Sequence, residues 1–127
     1  MSRTTKAGIC MDHSFARIME FSTLPMVIKT IQSKFTQEEK RLSLAISENF
    51  MHKKKLLHQT EYFKQLAEII KKYEEVIIFG QTNAKFELLD VLVTNHLFDN
   101  IRIDLIMTDY LSESQQNSFV RTHFLKN

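Results

Sequence analysis

The chain has 127 residues, of which 43% are hydrophobic and 25% charged, and its formal net charge is +2. That length and balance suit one domain over residues 1–127 with a single core, and they exclude a disordered chain. Two glycines, one proline and one cysteine leave no material for a glycine-rich phosphate loop, a flexible linker or an internal disulfide, and no run approaches the roughly 18 apolar residues of a membrane span.

Residues 1–6 (MSRTTK) are polar and read as a flexible end. Two short apolar runs, residues 8–11 and 16–21, flank Asp12, His13 and Ser14, which is the pattern of a β-hairpin with a polar corner. Residues 22–25 form the next turn. Residues 27–35 alternate loosely, with Val27, Ile31 and Phe35 on one side, and predict a third, half-exposed strand at a sheet edge. Residues 36–50 (TQEEKRLSLAISENF) read as a loop with a partial helical turn.

From residue 52 to 75 the period changes. Leu56, Phe63, Leu66, Ala67, Ile70 and Tyr73 recur at helical spacing, with Lys and Glu on the other faces. VIIFG at 76–80 is a strand buried on both faces and closed by glycine. Thr82 and Asn83 are N-cap candidates for a helix from Ala84, with Leu88, Leu89, Leu92 and Val93 as its buried stripe. Residues 101–109 alternate as another strand. Ser112 and Gln115 have the spacing of a capping box before a last helix with Phe119, Val120, His123 and Phe124 on one face.

The order is βββαβαβα. Right-handed crossovers lay the later strands parallel beside the first, giving a mixed sheet of ribonuclease H-like layout in an α/β fold. The lone Cys10, on an apolar strand, reads as a small buried side chain. With no signal peptide visible, it implies a reducing, cytoplasmic setting.

The strings GICMDHSFARIMEF and VIIFGQTNAKFELLDVL resemble small bacterial proteins of the translational-machinery-component class. These are similar to the middle domain of archaeal and eukaryotic peptide-chain release factors and of their ribosome-rescue relative, Pelota. The resemblance rests on Asp12 and His13 ending the first strand, Ala16 opening the return strand, a His- and Lys-rich helix at 52–72, and Gly80 followed by Ala84 and Lys85. It implies a ribonuclease H-like fold and a ribosome or structured RNA as partner. The Gly-Gly-Gln tip of the release factors is absent, so peptide release does not carry over. A chain of 127 residues leaves no room for their codon-reading and partner-recruiting domains.

Three constellations could carry chemistry. Asp12, with Glu20 or Asp109, could hold metal ions as ribonuclease H-like nucleases do, since two-metal chemistry needs converging carboxylates. Asp12 could equally accept backbone amides in an Asx turn, with His13 exposed beside it. The turn before Ala84, with Thr82, Asn83 and Lys85, has the form of an anion site at a helix N-terminus, or of an ordinary capped helix with Lys85 in solvent. Lys53, Lys54 and Lys55 are the third. If their helix starts at 52, the dipole disfavours them there and an anionic partner such as a phosphate backbone is implied. If it starts near Ser47, they are an ordinary solvated run. The histidines lack the spacing of a metal set, and no cofactor is implied. The resulting expectation is a non-enzymatic RNA- or ribosome-binding domain. A metal-dependent nuclease and a protein-interaction module, such as a homodimer through the edge strand at 27–35, are the alternatives.

Overall fold

The computed structural model describes residues 5–21, 26–33 and 48–125, with side chains in the long helix described from Leu57 onward. Strands β1 (Lys6–Met11), β2 (Phe15–Phe21) and β3 (Val27–Gln32) come first. Helix α1 (Glu48–Ile70), strand β4 (Glu75–Gly80), helix α2 (Ala84–Val93), a 3₁₀ turn (His96–Phe98), strand β5 (Arg102–Met107) and helix α3 (Glu113–Leu125) follow. The sheet order is β3-β2-β1-β4-β5. β1, β2 and β3 pair antiparallel, whereas β4 lies parallel to both β1 and β5. This is the ribonuclease H-like, mixed α/β arrangement that the order of patterns predicts.

The two faces of the sheet follow from strand alternation. Ala7, Ile9, Met11, Ala16, Ile18, Val76 and Ile78 point to one side. There they meet Tyr62, Phe63, Leu66 and Ile70 of α1 and Ala84, Leu88 and Leu92 of α2. Met19, Ile77 and Phe79 point to the other side and meet Val120 and Phe124 of α3. Each fully buried Leu, Ile or Phe contributes about 1.5–3 kcal/mol, so both layers are needed. Gly8 lets α3 approach, because a Cβ there would stand 2.2 Å from a Val120 methyl.

Where structure and pattern differ, packing geometry gives the reason. α1 begins by Glu48 and ends at Ile70, so Tyr73 is buried from the turn that follows the helix. Tyr62 joins the buried stripe, four residues before Leu66. In α2 the buried row is Ala84, Leu88 and Leu92 at i, i+4, i+8, and Val93 is 63% exposed. β3 is an edge strand with Val27 and Ile28 in solvent. The expected turn at 22–25, Phe35, the loop at 36–47, the start of the chain and the side chain of Leu56 lie outside the described residues. Among the described residues, no helix is long and apolar enough to cross a membrane.

Candidate functional site

The C-terminal ends of the three parallel strands open into a cleft of about 240 Å³, whose lining includes Cys10, Asp12, Phe15, Thr82, Asp109 and Tyr110. Ligands of open α/β sheets bind at this kind of position. Two local structures shape it.

The first is the β1–β2 corner. The Asp12 amide donates to the Phe15 carbonyl at 2.9 Å. A tight two-residue hairpin ordinarily closes the return bond on the backbone carbonyl, using positive φ at the turn residues. No non-glycine residue among those described has positive φ. Instead, Asp12 Oδ1 accepts from the Phe15 and Ser14 amides, both at 2.8 Å, and from the Ser14 hydroxyl at 3.1 Å. The side chain thus replaces its own carbonyl, and that carbonyl accepts from the buried Tyr62 hydroxyl at 2.9 Å. Burial, reinforced by the charge of Asp12, pushes the Tyr62 phenol well above its ordinary range. His13 Nε2 lies 2.7 Å from Glu87 Oε2, joining the corner to α2.

The second is the turn from β4 into α2. Gly80 has φ +146°, and a Cβ there would stand 2.6 Å from the Met11 carbonyl oxygen, so both conformation and space demand glycine. The Thr82 hydroxyl accepts from the Ala84 amide at 3.3 Å, whereas the Asn83 side chain makes no cap bond. Lys85 is 1% exposed. Its ammonium donates to the Gly80 carbonyl at 3.1 Å and the Thr82 carbonyl at 2.6 Å, with Met107 Sδ 3.3 Å away. Burial lowers the pKa of this amine, with the nearby Cys10 opposing. This differs from the expectation of a solvent-facing lysine. Two of the three ammonium N–H donors are committed to the carbonyls of the turn, and the third faces the weak thioether acceptor of Met107.

On the α3 side, the largely buried Arg17 donates from Nη1 to Asn117 Oδ1 at 2.8 Å, the Glu113 carbonyl at 3.2 Å and Gln116 Oε1 at 3.3 Å. A cation is disfavoured at a helix start, and these three acceptors compensate. They fix the first turn of α3, which also carries the reciprocal capping box: the Ser112 amide donates to Gln115 Oε1 and the Gln115 amide to the Ser112 hydroxyl. Cys10, opposite Arg17 in the ladder, is half-buried and lines the cleft. Burial and then the Asp12 charge raise its thiol pKa, which disfavours the thiolate a nucleophile requires.

Asp12 and Asp109 therefore share the cleft, but Glu20 does not. Glu20 pairs with Ala7, five residues and roughly 16 Å along the strand from Asp12, and its carboxylate accepts from the Tyr73 hydroxyl. Of the two pairings expected, the structure brings Asp12 together with Asp109 and not with Glu20, and among the described residues no third His, Cys, Asp or Glu joins that pair. Among the described residues, no cationic side chain lines the cleft, and Asp12 and Asp109 give that part of its wall a negative charge. Lys53, Lys54 and Lys55 lie at least five residues inside α1, which removes the dipole argument for an anionic partner. Their side chains lie outside those described. α1 passes the hairpin corner at Tyr62, so these lysines lie about 10–14 Å further along the helix, at the cleft end of the molecule.

Pattern reading missed Tyr62 and Arg17. Tyr62 was findable at four and eight residues before Leu66 and Ile70. Arg17 shows only as a charge at an inward position beside Met19, and nothing local names its acceptors a hundred residues away.

No known family model matches the sequence, and no curated protein sequence is detectably similar to it. Solved structures do match. Archaeoglobus fulgidus Pelota aligns with TM-score 0.61 at 9% identity, over 96% of this chain and 32% of that one. Thermoplasma acidophilum Pelota gives 0.53 at 16%, over 98% and 32%, and the archaeal translation termination factor aRF1 gives 0.55 at 16%, over 91% and 33%. The chain thus spans about a third of the length of these proteins and has the fold of a Pelota- and release-factor-like domain, consistent with the middle-domain resemblance.

Proposed function

We propose that this chain is a non-enzymatic translation domain of release-factor middle-domain type that binds the ribosome or another structured RNA in the cytoplasm. The observation that carries this reading is the match of nearly the whole chain to Pelota and to a translation termination factor. Its phosphate contacts are Lys53, Lys54 and Lys55, three consecutive cations on α1 at the cleft end. Lys85, Thr82 and Asn83, at the neighbouring turn into α2, are the further phosphate contacts of this reading, although Lys85 also holds the turn's carbonyls. The nuclease alternative would rest on Asp12 and Asp109 alone, because Glu20 lies at the far end of the sheet from Asp12.

The test is co-sedimentation of the purified chain with ribosomes at 50 and 200 mM salt, for the wild type and for a Lys53→Glu, Lys54→Glu, Lys55→Glu variant. Three neutralised phosphates predict a loss of roughly 20–40-fold in affinity across that salt range. The triple variant should bind weakly even at low salt. Absence of binding at low salt, or wild-type binding by the triple variant, refutes the proposal.

A further inference from the structure

The opposite end of the sheet, where the parallel strands begin, gathers a second set of polar groups. Glu75 opens β4, Asp104 lies in β5 and His123 in the last turn of α3. Ile77 sits beside Asp104 in the parallel register. Glu75 is two residues before Ile77, so both carboxylates share the sheet face that α3 covers. One ligand atom from each of the three residues lies within 4.8 Å of the others, and all three residues are half-buried. Among the described residues, no other set of three His, Cys, Asp or Glu side chains comes together in this way.

An ion-pair network is the competing account, and its geometry is poor. Lys6 Nζ stands 3.9 Å from Glu75 Oε1. Arg102 Nε stands 3.9 Å from Glu75 Oε2 and 3.7 Å from Asp104 Oδ2. Charge-assisted hydrogen bonds close to about 2.7–2.9 Å, so neither cation makes one here. The Arg102 side chain is 73% exposed and can swing into water at little cost, since exposed pairs of this kind contribute little. Nor would ion pairing alone require an imidazole in the set.

We propose that Glu75, Asp104 and His123 bind one zinc ion, tying α3 to the starts of β4 and β5. One imidazole and two carboxylates form a mixed nitrogen–oxygen donor set suited to zinc, with three protein ligands and a fourth position for water. Calcium and magnesium favour all-oxygen shells. Two ligands stand on neighbouring strands of one ladder, so most of the site is held rigid before the ion arrives. The ligands come from three elements far apart in the chain, and for that reason sequence spacing gives no sign of them. The site is independent of the proposed RNA contacts on α1.

The test uses the untagged full chain, stripped of metal and titrated with zinc chloride by calorimetry and in thermal melts. One zinc per chain is expected, with a rise in melting temperature of roughly 8–11 °C at a hundredfold excess over Kd. Asp104→Asn and His123→Gln should each weaken binding at least tenfold, and circular dichroism checks that both variants fold without metal. His96→Gln, at an exposed histidine paired with Asp99, should bind as the wild type does. Cobalt substituted for zinc should give the visible absorption of a four-coordinate site, and His123→Gln should abolish it. No zinc-dependent shift in the wild type, or undiminished binding in both ligand variants, overturns the proposal.

Discussion

Replacing Asp12 separates its role as a corner from any role as a reactive carboxylate. Asp12→Ala removes the acceptor of the Ser14 and Phe15 amides, both held at 2.8 Å, and loosens the carbonyl that receives the Tyr62 hydroxyl. The corner is exposed, so water re-solvates the two amides, and the cost is that of a lost helix N-cap rather than of two buried bonds. That is about 1–2 kcal/mol, or roughly 3–8 °C in melting temperature for a domain of this size. Asp12→Asn keeps an oxygen in the same place and should cost about 0.5 kcal/mol or less, because Asn and Asp are near-equivalent local acceptors. Urea unfolding with linear extrapolation measures both, with unchanged slope expected. If Asn costs as much as Ala, the negative charge and not the acceptor is what the fold uses. If Ala costs nothing, the strands alone set the corner. Either result refutes the assignment.

Two further predictions concern packing and pH. Burial, and then the Glu20 carboxylate accepting its hydroxyl, hold Tyr73 at about 12 against an ordinary 10.0. The folded state keeps a proton that the unfolded chain sheds, so this contribution is intact below pH 10 and is lost as pH rises toward 12, by up to ~1.4 kcal/mol per unit. The stability gap between wild type and Tyr73→Phe should therefore narrow by about 1 kcal/mol between pH 8 and pH 11 in urea titrations, and a constant gap contradicts the assignment. Gly8→Ala places a methyl 2.2 Å from a Val120 methyl and should cost about 1–3 kcal/mol by overpacking. Adding Val120→Ala opens that space, so a double-mutant cycle should show favourable coupling of about 1 kcal/mol or more; additive effects would mean that α3 does not rest on Gly8.

How much was legible depended on whether a feature repeats locally. The buried strand VIIFG, the helical stripe through Phe63, Leu66 and Ile70, and the Ser112–Gln115 capping box follow from spacing alone, and each stands where the pattern puts it. The Asx reading of Asp12 was also available, since it needs only its neighbours. Lys85 was not legible as a buried cation. Its partners are carbonyls, which every residue carries, so its sequence neighbourhood matches that of a solvent-facing lysine. The extent of α1 was obscured because residues 48–51 carry no helical apolar stripe.

The residues that carry the family resemblance turn out to be builders of one junction. Asp12 closes the β1–β2 corner, and His13 reaches Glu87 of α2. Ala16 and Ala84 are fully buried in the core cluster that α1 also enters. Gly80 passes directly under the Met11 carbonyl, and Lys85 pins the carbonyls of the turn that Gly80 begins. Strand β1 thus meets its hairpin on one side and the β4–α2 turn on the other, and all six residues define that meeting. Such a motif specifies how the sheet and α2 join without requiring any reaction. Core positions accept many apolar residues of similar volume, so one fold can stand in proteins whose aligned sequences agree at only 9–16% of positions. A motif of this kind accounts for the fold without specifying an activity, and the two proposed sites, the lysine run on α1 and the Glu75, Asp104 and His123 cluster, lie outside it.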